Sequence, residues 1–153
     1  MKILLKSTML KKRIKISDNF YLDEFVCPEI YQIFKKKSIW FIRPEIIAIN
    51  EFLRSRHGAC TINTWGAGGG DKYSALRPFN CRIGAAYSEH KFGGATDSSF
   101  ANSTADEVRE DIITNWKTLY RPLGLTTIEA NVSWVHIDIR HIPAQEEIFI
   151  VYS

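Results

Sequence analysis

The sequence predicts an α+β fold, a small antiparallel sheet with helices packed on one side. Three observations predict it. Two segments, 44–57 and 103–120, carry apolar residues at helical spacing. Three strand-like segments cluster towards the C-terminus, at 125–131, 133–139 and 148–152. Helices segregated from clustered strands, with no internal repeat, fit helices laid against an antiparallel sheet. At 153 residues the chain is long enough to bury a sizeable core as one domain. That domain is expected over 18–153, preceded by an N-terminal arm over 1–17.

Each element has its own signal. Residues 1–17 alternate apolar and basic, as in Arg13-Ile14-Lys15-Ile16, which reads as a leading arm or short strand. A short helix is expected from Pro28 to about Lys36, with Phe25, Ile30, Ile33 and Phe34 turned inward and the lysines at its end solvated. The helix over 44–57 has Pro44 in its first turn, where a missing N–H costs nothing, and Gly58 as its left-handed stop. Ile46, Ile49, Phe52 and Leu53 form its apolar face, and His57 reads as a cation at its C-terminal end. A strand is expected over 59–65, then a glycine-rich loop over 66–71 that forms a flexible cleft rim. That loop lacks the Gly-Lys-Ser/Thr of a phosphate-binding loop. Residues 73–87 read as irregular. Thr104 and Glu107 have capping-box spacing ahead of a stripe of Val108, Ile112, Trp116, Leu119 and Tyr120.

Composition narrows the function classes. With 45% hydrophobic and 24% charged residues and no low-complexity tract, the chain has the make-up of a globular protein. The net charge of +3 gathers in Lys11-Lys12-Arg13 and Lys35-Lys36-Lys37. A nucleic-acid surface would interleave more basic residues with aromatics, so no nucleic-acid partner is expected. An acidic polymer such as a bacterial cell wall suits the charge equally well. Cys27, Cys60 and Cys81 are odd in number and lack Cys-x-x-Cys spacing, which argues against a disulfide framework. The basic residues that interrupt the N-terminal apolar run argue against a signal peptide, and no stretch has the length of a membrane-spanning helix. Met1 and Met9 both remain candidate starts.

The chemistry gathers in two stretches. Ser88-Glu89-His90-Lys91-Phe92-Gly93-Gly94-Ala95-Thr96-Asp97 sets an imidazole and a carboxylate either side of a glycine pair that lets the chain double back. In Trp134-Val135-His136-Ile137-Asp138-Ile139-Arg140, period-two alternation sends Val135, Ile137 and Ile139 to the core and His136 and Asp138 to the opposite face. His90, Asp97 and His136 make a two-histidine, one-carboxylate set, the ligand number of a catalytic zinc site with an open position.

Ser88-x-His90-x-x-Gly93-x-Ala95-x-Asp97, followed by Trp134-Val135-His136-x-Asp138, resembles the signature of the zinc D-Ala-D-Ala peptidases. That family includes VanX- and VanY-type enzymes and phage endolysins, and it shares its zinc fold with hedgehog domains and lysostaphin-type enzymes. The resemblance extends over Ile62-Asn63-Thr64-Trp65, the glycine loop and Leu76-Arg77-Pro78 through Cys81, and covers about 20–140. It implies a hedgehog/D-Ala-D-Ala peptidase-like fold and Zn²⁺ held by His90, Asp97 and His136. It also implies that Arg77 binds a substrate carboxylate or polarises the scissile carbonyl, with Arg82 in reserve. Family members carry a carboxylate three residues before the second histidine, where this chain has Ser133. The general base is therefore expected to be Asp138 or Glu129, and Asp138 has a second possible role in orienting His136.

The activity so implied is that of a zinc metallopeptidase cutting amide bonds in the peptidoglycan stem or cross-bridge, as a phage or prophage endolysin or a D-Ala-D-Ala carboxypeptidase. Its partner is a peptidoglycan peptide. The chain is expected to act as a monomer with no integral membrane segment. It would be made in the cytoplasm and reach the wall after release or as a virion component. A different class stays open, a zinc-stabilised wall-binding or structural virion module that has lost turnover.

Overall fold

Helices and five short strands share one apolar interior in the computed structural model, which describes residues 9–153. Leu22–Phe25 (α1) is a single turn that buries Leu22 and Phe25. Pro28–Phe34 (α2) starts on its proline and buries Tyr31, one turn beyond the buried Cys27. That pair takes the inward stripe, so Ile33 and Phe34, expected to pack inward, face solvent instead. A 3₁₀ segment, Lys35–Phe41, leads on to Pro44–His57 (α3). Ile46, Ile49 and Leu53 are buried along α3, with Gly58 at φ +85 donating its N–H to the Arg54 carbonyl at 2.9 Å. Asn50 shares that stripe and donates to Thr96 Oγ1 at 2.9 Å, pinning the helix to the sheet.

The strand expected over 59–65 is only Cys60–Thr61 (β1). Beyond it, side chains compete with the ladder for backbone partners. Asn63 Oδ1 accepts from the Ser74 N–H at 2.9 Å, and Thr64 Oγ1 accepts from the Asp71 N–H at 3.0 Å. Trp65 then opens a 3₁₀ turn, with its indole donating to the Val26 carbonyl at 2.8 Å. Ala95–Phe100 (β2) follows the irregular 73–87 region and a 3₁₀ turn at Glu89–Phe92. Ala105–Asn115 (α4) is capped as expected: Thr104 Oγ1 accepts from the Glu107 N–H and Glu107 Oε2 from the Thr104 N–H. One π turn, Trp116–Tyr120, shifts the phase of α4 and keeps both Trp116 and Tyr120 buried.

Thr127–Ala130 (β3) and Val135–Asp138 (β4) form a hairpin that turns at Asn131, φ +62, and Phe149–Tyr152 (β5) closes the chain. Strand order is β1-β2-β4-β3-β5. The fold is α+β as expected, but the sheet is mixed: β5 runs parallel to β3. The physical reason lies in the connection. Thr127 is opposite both Asp138 and Phe149, so residues 139–148 leave and re-enter the sheet at the same end, and β5 must follow the direction of β3. Ile128, Val135 and Ile137 meet the buried faces of α3 and α4 in one core. Leu10, Ile14 and Ile16 pack against that core too, and Arg13 chelates the fully buried Asp23 at 2.7–3.1 Å. The rest of the expected N-terminal arm, residues 1–8, lies outside the described residues. Among the described residues no helix is long and apolar enough to cross a membrane.

An ionic staple joins α3 to α4. Asp111 accepts from Arg56 at 2.5 and 2.8 Å, from Asn115 at 2.8 Å and from the Tyr120 hydroxyl, and it pairs with His57 Nε2 at 2.8 Å. Arg56 is the chief reason its carboxyl lies well below the usual carboxylate range; burial opposes the shift, and Tyr120 and His57 reinforce it. A depressed carboxylate stabilises the fold fully above its unfolded pKa of about 4 and less as pH falls below that value. Asp111→Ala is expected to cost about 2 kcal/mol at neutral pH. In thermal melts the gap between variant and wild type should narrow below about pH 4.

Candidate metal centre

Asp97 and His136 stand directly opposite each other on the central strand pair β2–β4, so their side chains share one face of the sheet. The neighbouring pair Thr96 and Ile137 faces the core and is fully buried, which leaves the other face for chemistry. His90 reaches the same point from the 3₁₀ turn before β2, where Ser88 Oγ accepts its N–H. The two glycines do separate work. Gly93 adopts φ +71 with its Cα against the Phe41 carbonyl, and Gly94 leaves room for Glu89 and Ile139.

His136 Nδ1 lies 2.8 Å from Asp97 Oδ1, His90 Nε2 lies 3.3 Å from Asp97 Oδ2, and the imidazole centroids are 5.2 Å apart. All three donor atoms lie within 4.8 Å of one another. The outward nitrogens are engaged by acceptors, His90 Nδ1 by the Ala75 carbonyl at 3.0 Å and His136 Nε2 by Asp138 Oδ2 at 3.0 Å. An acceptor needs a hydrogen to meet, so both outward nitrogens carry one. In neutral rings the inward nitrogens then present lone pairs towards a carboxylate, an arrangement that calls for a cation between them. His90 Nε2 is buried and makes no hydrogen bond, the signature of a donor atom kept for such a cation. These three residues can hold a metal ion.

The electrostatics fit. Burial acts to raise the Asp97 carboxyl, but the hydrogen bond from His136 and the nearness of the His90 imidazole outweigh it and hold the group well below the usual range. Burial lowers His90. In His136 the same burial is overcome by Asp138 and then Asp97, which lift the imidazole to about 9. Asp138 is fully buried, yet bonds from His136 and Arg140 carry it below the ordinary carboxylate range against that burial.

The other expected site residues fall differently. Arg77 donates to Asp97 Oδ2 at 3.0 Å and to the Tyr73 carbonyl at 2.6 Å, and it lines a cleft of about 490 Å³ with Asp97, Tyr73, Ser99 and Trp134. Arg82 is exposed and lines a neighbouring groove with Ile33. Asp138 bonds both His136 and Arg140, the latter at 2.9 and 2.5 Å. Glu129, on β3, has its carboxylate engaged by the Ser153 hydroxyl at the end of the chain. Ser133 is exposed before β4. Of the expected glycine rim over 66–71, only Gly70 and Asp71 line the cleft, and Gly66 packs tightly on Asp23. Two participants carried no signal that pattern reading could use. The Ala75 carbonyl is a backbone group, and Glu89 gains its place beside Asp138 only through the fold; burial, with Asp138, raises its pKa.

No family model, no curated protein and no solved structure matches this chain.

Proposed function

We propose that this chain is a zinc-dependent hydrolase that cleaves amide bonds in the peptide part of peptidoglycan, akin to the zinc D-Ala-D-Ala peptidases and phage endolysins. One observation carries the reading: nitrogens of two buried imidazoles converge on a carboxylate that, with an arginine, lines an open cleft. His90, Asp97 and His136 would hold the zinc. Their donor atoms lie within 4.8 Å of one another, near enough for one small cation to be shared among them. When bound, the zinc supplies Lewis acidity and a nucleophile at neutral pH.

The chain's own residues do the rest. The Ala75 carbonyl and Asp138 fix the two imidazole rings, and Arg140 holds Asp138. Arg77, anchored on Tyr73 and Asp97, keeps a guanidinium at the cleft wall to meet a substrate carboxylate or a developing oxyanion. With both oxygens of Asp138 engaged, its work in this reading is positioning. Glu129 takes the proton-accepting role. Alternation about the buried Ile128 points it to the same side of the sheet as His136, and release of Ser153 frees it.

The test is digestion of purified cell wall. Soluble peptides with new amino termini are expected, lost with a chelator and restored by zinc. The exposed Ser133, where related enzymes carry a carboxylate, favours one competing reading, a zinc-stabilised wall-binding module. Wall binding with no peptide release would decide for that module.

A further inference from the structure

Between α2 and α3 the chain presents apolar and cationic side chains to solvent side by side. Ile33, Phe34, Trp40 and Phe41 are 73%, 41%, 72% and 42% exposed. Lys35, Lys36 and Lys37, all exposed, sit between them. Four large apolar groups within nine residues make a patch and not a scatter. The patch is built. Phe34 and Phe41 meet edge to face at 4.7 Å, and Ser38, in the middle of the segment, is fully buried. Lys35 has φ 51 and ψ −129, a conformation that L-residues avoid, so the junction of the apolar and cationic stretches stores strain.

The charge on this face is unanswered. Among the described residues none of the three lysines has an acidic partner. Their ammonium neighbours are rings, Tyr31 for Lys35 at 5.9 Å and Trp40 for Lys37 at 5.4 Å. Glu29, the acid of α2, is engaged by the Tyr73 hydroxyl.

The occupant must therefore offer an apolar interior beneath an anionic surface. An anionic wall polymer would satisfy the lysines and leave Ile33 and Phe34 with nothing apolar to meet. An anionic bilayer satisfies both, taking aromatic and aliphatic groups at the acyl boundary and lysines at the phosphates. We propose that this face docks the protein peripherally on anionic lipid membranes. The inference does not depend on the metal centre.

Cosedimentation of the full chain with vesicles tests it. Binding is expected to vesicles of equal phosphatidylcholine and phosphatidylglycerol, and not to phosphatidylcholine alone. Added salt should weaken it. Reversing the three lysines together (K35E/K36E/K37E) should weaken it about 100-fold or more. Ile33→Ser with Trp40→Ser should weaken it at least about 10-fold. All five positions are exposed, and circular dichroism checks that the variants keep the fold. Absence of pelleting with the anionic vesicles, equal pelleting with neutral ones, or binding indifferent to salt and to both variants would overturn the proposal. So would loss of wall binding in the variants of a protein that ignores vesicles.

Discussion

His90→Ala is expected to strip zinc from the purified protein and with it the release of peptides from cell wall. His90 Nε2 is a buried donor atom with no hydrogen-bond partner, so its removal takes away one of the three proposed ligands and leaves Asp97 against His136 and Arg77. The variant should bind zinc orders of magnitude more weakly by metal titration while keeping a cooperative melt. Two further substitutions separate the carboxylates. Asp138→Asn loosens the His136 ring, and metal affinity is expected to fall roughly 10–100-fold, as for other groups that orient a ligand histidine. Glu129→Gln should keep the metal and slow hydrolysis by roughly 10²–10⁴. Stoichiometric zinc at wild-type affinity in His90→Ala would refute the ligand assignment. Full turnover in Glu129→Gln would refute only the assignment of the base.

Gly93→Ala is expected to be the most damaging single methyl that can be added near the site. A Cβ there would lie 1.8 Å from the Phe41 carbonyl oxygen and 3.1 Å from Ile42 Cα, both backbone positions that cannot rotate away. The residue also sits at φ +71, where an L side chain costs roughly 1–2 kcal/mol before any clash. Clash and strain together should cost roughly 3–5 kcal/mol, read as a fall in Tm or in the denaturant midpoint. Gly70→Ala is the control. Nothing lies within 4 Å of its would-be Cβ, and the change should stay within about 0.5 kcal/mol. If both variants melt together, the close approach of 93 to 41 is not what holds the turn.

Elements with punctuation at both ends were legible in the sequence. Pro44 and Gly58 bracket α3, and Thr104 with Glu107 opens α4, because caps act through local chemistry that a sequence displays. The spacing of His90 and Asp97 around two glycines, and the alternation about His136, also pointed at three residues that the fold brings together. What stayed hidden was non-local. Ala95–Phe100 is made largely of small polar residues, poor strand formers that pair because β4 and β1 flank them, so no strand was expected there. The parallel β5 depends on where the 139–148 connection returns, which no local pattern records. Ile33 and Phe34 misled for a related reason, since helical spacing tells which residues share a face and not whether a neighbour covers it.

The opposition of Asp97 and His136 across β2 and β4 has a consequence for how the centre comes into being. Side-chain direction alternates along a strand, so a slip of one residue between these strands would send Asp97 or His136 into the hydrophobic interior and bring Thr96 or Ile137 out. An intermediate register with half a binding site is therefore also one with a broken core. Assembly of the donor set and closure of the central sheet are then one event, and the population of metal-competent molecules should track the population of folded ones.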